Sequence, residues 1–421
     1  MNLSVEQLAK QLETALGGDA VTVAATAYAI DGKQPEIVCH PQSAEQIAAA
    51  LRLCIEAEAA VIPRGSGTAM AIGNIPRQVD VIIETAKLKR VIEHDHANLT
   101  TTMESGITMG ELQTALEPQK QFVPLDAPFP DRATIGGIVA ANLNGPRRSY
   151  YGSVRDLVIG MRVVLASGEQ IKAGGKVVKN VAGYDMCKLF VGSFGTLGII
   201  TEVTLRTVPI AESAATVIAS GTINQADRFR QELSRSPLLP AAIFLLNDGA
   251  TEQWRLAVGC EGFEETVARH LRDLDAIAVR VGMSTTTLRA ESHDEFWQGL
   301  RDFPLQSDRL IYRVTLPRGK VLEFVELVRN WAGAILNSDI AAGTVWLALP
   351  ARRSGLEKFV ELIELARQQH GHAVVFVAPG ELKQGVEVWG PSPATISLQR
   401  EIKRQFDPKG LLNPGRFLAG I

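Results

Sequence analysis

Leu3, Leu8, Leu12 and Leu16 recur down one side of the first turns of the chain, with polar and acidic residues between them. That spacing predicts an amphipathic N-terminal helix. Ser43-Ala44-Glu45-Gln46 reads as a capping box opening a second helix, whose Ile47, Leu51, Cys54 and Ile55 share one face. Short apolar runs then predict strands at Ala60–Ile62, Val79–Ile83 and Thr100–Glu104, a helix near Thr108–Glu117, and longer strands at Val158–Ala166 and Ile199–Val208. Glycine-rich connections lie between them.

Beyond Pro209–Ser213 the texture changes, and a boundary is placed there. Strand Thr216–Ser220, helix Asn224–Ser234, strands Ala241–Asn247 and Trp254–Cys260, helix Phe263–Leu274 and strand Ile277–Met283 spell βαββαβ. The order returns: strand Leu310–Leu316, helix Val321–Ala332, a weak strand near Ala334–Leu336, strand Thr344–Leu349, helix Leu356–Gln369 and strand Ala373–Ala378. Two such units can join one antiparallel sheet with helices on one face. The tail opens as a helix at Leu398, Ile402 and Phe406 and ends in the turn-rich Asp407-Pro408-Lys409-Gly410-Leu411-Leu412-Asn413-Pro414-Gly415-Arg416.

Composition adds mainly exclusions. With 421 residues, 46% hydrophobic and 21% charged, the chain is globular and long enough for about two to three domains. A net charge of −3 gives no basic field for nucleic acid. Cys39, Cys54, Cys187 and Cys260 form no CxxC and no zinc or iron–sulfur spacing, so four reduced, buried thiols and no metal are expected. The N-terminus lacks the basic and apolar regions of a signal peptide, and no apolar run approaches the ~18 residues of a membrane span. A soluble, cytoplasmic chain follows, with any attachment to the inner face of a membrane made through a complex.

Four segments can carry chemistry. Arg64-Gly65-Ser66-Gly67-Thr68 follows a strand, and its glycines let main-chain N–H groups converge on a pyrophosphate. It is not a P-loop, because no Gly-Lys-Ser/Thr follows, and not a GxGxxG opening a helix, because Gly73 lies outside that spacing and Ile75-Pro76 would interrupt the helix. Thr134-Ile135-Gly136-Gly137 leads into a helix with Ala140 and Ala141, where free N–H groups and small side chains admit a flat ligand. Gly145-Pro146-Arg147-Arg148-Ser149-Tyr150-Tyr151 reads as a solvated basic turn or an anion grip, with Arg155 beyond it. Gly183-Tyr184-Asp185 and the run Gly192 to Glu202 bring unobstructed backbone to the start of a strand.

In this order, and with the Asn-Pro-Gly-Arg tail, these segments resemble the FAD-binding domain of the vanillyl-alcohol oxidase/p-cresol methylhydroxylase (PCMH-type) superfamily. Within it the chain is most similar to FAD-binding subunits of bacterial glycolate oxidases. The signature is GGKVVKNVAGYDMCKLFVGSFGTLGIITEVTLR with RATIGGIVAANLNGPRRSYYGSVRDLVIG. The resemblance implies an α+β chain, with a two-subdomain FAD-binding domain over 1–212. An antiparallel-sheet cap of two βαββαβ-like units would span 213–390, and the tail, 391–421, would return to the FAD domain. By resemblance Arg64, Gly65, Ser66, Gly67 and Thr68 hold the FAD pyrophosphate, and Thr134, Ile135, Gly136, Gly137 and Ala140 pass over pyrophosphate and isoalloxazine. Gly198 and Ile200 lie near the flavin or adenine, and Asn413 and Arg416 return on the tail. The implied partners are a second flavoprotein subunit and an iron–sulfur subunit, and the implied substrate is a small 2-hydroxyacid such as glycolate.

The chain departs from the family in two ways. Ser66 stands where many relatives carry a flavin-linked His, so noncovalent FAD is expected. The His-rich cap motif of catalytic relatives is reduced to His370-Gly371-His372 without acidic or Asn partners, and the usual arginine-plus-histidine set for a hydroxyacid carboxylate is missing. No catalytic residue is therefore assigned: His372 reads as a strand-end side chain, and His94-Asp95-His96 as a solvated turn rather than a metal site. A self-contained FAD-dependent alcohol or hydroxyacid oxidoreductase, or a noncatalytic FAD-stabilised scaffold subunit, remain the alternatives.

Overall fold

The computed structural model describes residues 4–23, 25–175, 185–249, 251–305 and 309–421. The Gly183-Tyr184 part of the fourth segment and most of GGKVVKNVAGYD lie outside them. The N-terminal helix, Val5–Leu16, starts from a full capping box of Ser4 and Gln7 and buries Leu8, Leu12 and Leu16. Ser43 caps helix Ala44–Glu56 through Gln46 N, but the box is only half made. The Gln46 amide oxygen accepts from Gln42 N instead, at 2.6 Å. Thr108 and Glu111 complete a box at helix Met109–Leu116.

The strands are numbered in chain order. A four-stranded sheet holds β1 (Val21–Val23), β2 (Ile37–Cys39), β3 (Val61–Arg64) and β4 (Val81–Glu84) in the order β1-β2-β4-β3. The last three are mutually parallel, and all residues of β2 are buried, as sheets covered on both faces require. Next come β5 (Val91–Asp95), β6 (Thr100–Glu104), β7 (Gln121–Phe122), β8 (Val158–Val164), β9 (Gln170–Gly174), β10 (Ile199–Arg206) and β11 (Val208–Pro209). Five of these form an antiparallel sheet ordered β5-β6-β10-β8-β9, while β7 pairs with β11.

The remaining strands are β12 (Ser213–Gly221), β13 (Ala242–Asn247), β14 (Trp254–Gly262), β15 (Ser284–Arg289), β16 (Arg309–Thr315), β17 (Ile335–Asp339), β18 (Thr344–Pro350) and β19 (His372–Val377). They make one sheet ordered β15-β12-β14-β13-β17-β18-β16-β19, every pair antiparallel. Within each βαββαβ unit the fourth strand lies outermost, then the first, third and second. The units meet back to back where Phe244 pairs with Asp339 and Leu246 with Asn337. This is the α+β architecture expected from the sequence, with one antiparallel cap sheet built from two βαββαβ-like units.

The chain divides into two compact units. One holds Met1–Leu143, Val154–Pro209 and Pro379–Ile421, and the other Asn144–Ser153 and Ile210–Ala378. Residues 379–390, grouped above with the cap, belong to the first unit because buried Lys383 donates to Asp31 and to the carbonyls of Ala71 and Gly73. Residues 144–153 belong to the second, where Arg147 pairs with Glu261 at 3.0 Å.

One expectation fails in the cap. No strand begins at Ile277, since helix Glu264–Val281 runs through it to a left-handed Gly282. The strand is Ser284–Arg289, a largely exposed edge with no apolar alternation to mark it. A further helix, Glu291–Asp302, lies in the stretch left unassigned. His94 lies in β5 and shares a hydrogen bond with Gln121 at 3.0 Å, so it does not sit on a turn. His372 does open β19, exposed. Among the described residues no helix is long and apolar enough to cross a membrane.

Candidate functional site

The end of β3 is where backbone donors accumulate. Val61 and Ile62 are buried in the parallel sheet, and the chain leaves it through Pro63 and Arg64. Among the described residues, none of the main-chain N–H groups of Gly65, Ser66, Gly67, Thr68 and Ala69 donates to an acceptor in the chain. Five consecutive unsatisfied donors after a strand are the equipment of an anion-binding nest. Gly67 has φ +89°, and a Cβ there would strike the Arg64 guanidinium, while one on Gly65 would strike the Thr134 hydroxyl.

Arg64 itself is committed to the loop. Its guanidinium pairs with Glu84, the residue beside it in the parallel register, and lies 4.4 Å from the centre of the Tyr28 ring. Glu84 also meets His40 Nδ1 at 3.0 Å and accepts from the Tyr28 hydroxyl at 3.2 Å. The side chain thus shapes the underside of the turn, and the main chain faces outward.

The second segment differs from its sequence reading in one respect. The first N–H groups of helix Ile135–Ala141 are not free. Ile135 N donates to Ile107 O, Gly136 N to Ser105 O and Gly137 N to the Thr134 hydroxyl. What the glycines supply is closeness: a Cβ on Gly136 would lie 2.8 Å from Ser105 Cβ, whereas one on Gly137 would meet only Thr134 Oγ1, at 3.1 Å. Ile135 is a correction. Its side chain is fully buried and does not line the cleft below.

The tail closes the site. Leu412 bridges to Val61 in parallel fashion, and Asn413 N donates to Val61 O at 2.8 Å, so the tail extends the sheet beside β3. Asn413, in a left-handed conformation at φ 50°, gives its amide N–H to Phe194 O. Arg416 is 2% exposed and donates through Nη2 to Met70 O at 2.8 Å and to Ile72 O. Burial pulls its guanidinium down to about 10. Lys403 anchors the turn, donating to Thr196 O, Asp407 and Leu412 O at 2.6 to 2.8 Å. Burial lowers the pKa of both Lys403 and Lys383. Neither lysine was legible as a site residue, since each sits in an ordinary amphipathic stretch.

Together these segments enclose a cleft of about 740 Å³. Arg64, Gly65, Ser66, Gly67, Thr68, Thr134, Gly136, Gly137, Ala140, Gly198, Ile200, Asn413 and Arg416 all line it, and so do Met70, Thr85 and Phe194, which sequence reasoning passed over. Among the described residues four buried polar atoms here have no partner: Ser66 Oγ, Asn413 Oδ1, Arg416 Nε and Arg416 Nη1. Orphaned polar atoms of this kind are costly unless a ligand completes them. Free backbone donors, a half-used buried guanidinium and glycine walls suit an anionic dinucleotide, so FAD fits. Among the described residues the lining holds no His, Cys or Tyr that could bond covalently to a flavin.

Comparison with known proteins agrees. Residues 35–174 match the family described as FAD binding domain, and residues 389–417 match FAD linked oxidases, C-terminal domain. The chain is 30% identical to "Glycolate oxidase subunit GlcE" of Escherichia coli over 79% of its own length and 85% of that protein. It is 28% identical to "Glycolate oxidase subunit GlcD" of Bacillus subtilis, covering 91% and 89%. A "D-lactate dehydrogenase" of Archaeoglobus fulgidus is 27% identical, over 99% of both chains. In fold, p-cresol methylhydroxylase matches with a TM-score of 0.73 at 15% identity, covering 98% of this chain and 96% of that one. Alkyldihydroxyacetonephosphate synthase matches at 0.72 and 17%, covering 98% and 85%. The chain is an FAD-dependent oxidoreductase with noncovalently held FAD, and it belongs to the PCMH-type FAD-binding oxidoreductase family that includes GlcD and GlcE.

Proposed function

We propose that this chain is the FAD-binding subunit of a 2-hydroxyacid dehydrogenase complex of the glycolate oxidase kind, converting glycolate to glyoxylate. The observation that carries the flavin part is the run of five unused main-chain donors at Gly65–Ala69 facing a cleft whose other wall carries Arg416. The glycolate part rests on the resemblance to GlcE and GlcD along most of the chain. The Gly65–Thr68 backbone takes the pyrophosphate, and Arg416 Nε and Nη1 offer a second charged contact. Thr134, Gly136, Gly137 and Ala140 give the flat surface a ring system needs, and Gly198 and Ile200 border it. Asn413 is held by Phe194 O so that its Oδ1 accepts from the cofactor.

When bound, FAD supplies the two-electron acceptor that oxidation of an alcohol carbon requires. The chain has four cysteines, all buried, and no iron–sulfur spacing, so electrons leave through a second flavoprotein subunit, an iron–sulfur subunit or a diffusible acceptor. Such a subunit would be cytoplasmic, meeting a membrane only through its complex.

The test is the visible spectrum of the purified chain without oxygen, before and after glycolate or D-lactate. Retained flavin that stays oxidised until the partner subunits are added is the expected result. Bleaching by substrate alone would replace the subunit reading with a self-contained enzyme. Flavin that no substrate or partner reduces would leave a scaffold. A chain that takes up no FAD would end the proposal.

A further inference from the structure

Beyond the five unused donors of Gly65–Ala69, the chain gives up its carbonyls to two buried cations. Met70 O and Ile72 O accept from Arg416 Nη2, the first at 2.8 Å. Ala71 O and Gly73 O accept from Lys383 Nζ, at 3.1 and 3.2 Å. Four consecutive carbonyls are thus shared alternately between two side chains from the C-terminal end of the chain. At the other end of the loop, Arg64 O accepts from Thr85 N at 2.8 Å. The donors of Gly65–Ala69 are strung between these two anchors, and half of the second anchor is Lys383.

Lys383 uses its third donor on Asp31, whose Oδ2 stands 2.6 Å away, and the two side chains are 1% and 7% exposed. A rigid turn presents that carboxylate. Asp31 (φ 49°) and Gly32 (φ 83°) lie between Ile30 and Lys33, which exchange both backbone hydrogen bonds at 2.8 and 3.0 Å. Gly380 lets the segment carrying Lys383 sit on the turn, since a Cβ there would stand 3.0 Å from Asp31 Cα. Asn74 holds the same segment further on: its Nδ2 donates to Glu387 at 2.9 Å and its Oδ1 accepts from Val388 N at 3.0 Å. The charges in this cluster do not balance. Two buried cations, Lys383 and Arg416, share one buried carboxylate, and among the described residues Arg416 makes no ion pair. Burial lowers the pKa of both cations, and the like charge of Arg416 adds to the effect on Lys383. With Asp31 taken by Lys383, Arg416 keeps its charge for the cleft, along the Nε and Nη1 edge that has no partner. A buried cation in that state is unfavourable until an anion reaches it.

We propose that Lys383 is a positioning residue for FAD: it fixes the far end of the pyrophosphate loop through Ala71 O and Gly73 O, and by engaging Asp31 it leaves the Arg416 charge to be answered by the cofactor. Lys383 does not line the cleft, so it acts through the loop and through Arg416. A compact ammonium with three donors suits a site of one carboxylate and two carbonyls. The coupling is reciprocal, since a loop held ready for FAD is in turn held by FAD. The inference rests on the assignment of the pyrophosphate to Gly65–Thr68.

The test uses the full chain freed of FAD, with FAD and ADP as probes, because ADP carries the two phosphates without the flavin ring. Binding is measured by calorimetry under conditions where urea curves show each variant folded. Lys383→Met should weaken both probes by the same ten- to a hundredfold. Lys383→Arg should recover part of the loss. Asp31→Asn combined with Lys383→Met leaves no charge of that pair unpaired, so it should fold, yet still bind at least tenfold more weakly than the native chain. Lys10→Gln, exposed on the N-terminal helix, should change nothing. In the native chain FAD should slow hydrogen exchange at the Asn74 and Val388 amides, and in Lys383→Met that slowing should disappear. Native affinity in either folded Lys383→Met protein, a loss seen with FAD and absent with ADP, or exchange indifferent to FAD would each overturn the proposal. Arg416→Gln separates the two levels of the argument. If it weakens both probes while Lys383→Met does not, only the positioning role fails; if neither variant matters, the pyrophosphate assignment fails with it.

Discussion

The two halves of the eight-stranded sheet share one topology and use the face away from its main helices in opposite ways. In the first half, helix Glu291–Asp302 lays Phe296, Trp297 and Leu300 on Phe244, Leu246 and Ala257. The Trp297 indole donates to the Thr216 hydroxyl at 2.7 Å, and His293 Nδ1 shares the same hydroxyl at 2.8 Å. Gly259 makes the closeness tolerable, since a Cβ there would stand 2.7 Å from the Trp297 ring. In the second half the equivalent positions hold Arg313, Asn337 and Trp346, partly exposed. A duplicated scaffold has thus been spent on stability in one copy and left polar in the other. The lesson is that symmetry of fold says little about function, and departure from symmetry says much.

The largest test of that contrast is Trp297→Ala. Losing the ring removes contacts to Phe244, Phe296 and Ala257 and leaves the Thr216 hydroxyl with His293 as its remaining side-chain partner. The expected cost is roughly 3 to 5 kcal/mol in urea unfolding, with flavin content unchanged. A loss below about 1 kcal/mol would mean the helix is not what holds the first half.

How much of this could be read along the chain depends on what each element owes to local chemistry. The Gly65–Thr68 loop and the Asn413–Arg416 turn were legible because backbone conformation demands glycine, proline and asparagine there. Helix Glu291–Asp302 was not, since it buries a narrow face of Phe296, Trp297 and Leu300 and leaves the rest exposed. β15 hides for a similar reason: Ser284–Thr287 form an exposed edge with no apolar period to betray them. The surroundings of Arg313 were invisible because they come from register with Trp346 and from stacking on Phe376, which are properties of the sheet. The free N–H groups expected at Gly136 and Gly137 failed for a tertiary reason, as Ser105 O takes the first and Thr134 the second.

A second test sits at the seam between the halves. Asp339 titrates at about 7 in the folded chain, raised from 3.8 chiefly by burial, against the pull of Arg148, Arg318 and two backbone N–H groups. Between those values the folded chain keeps a proton that the unfolded chain has released. Stability therefore falls as pH rises from about 4 to 7, and the loss is complete above that. Asp339→Asn preserves an acceptor for Ala342 N and has no proton to lose. The variant should flatten this slope, gaining about 2 to 4 kcal/mol over the native chain at pH 8 relative to pH 4. Parallel pH profiles for the two proteins would show that Asp339 is solvated and that the seam is not dry.

The smallest effect is the most telling about the open half. An ammonium or guanidinium held away from bulk water without a partner is a standing cost. Arg313→Met keeps the length and the contact with Phe376 while removing the charge. It should raise stability by about 1 kcal/mol in the absence of ligand, the reverse of what Trp297→Ala does across the seam. If Arg313→Met were destabilising without ligand, Arg313 would be a packing residue like its counterparts in the first half. The two copies would then differ in composition and not in purpose.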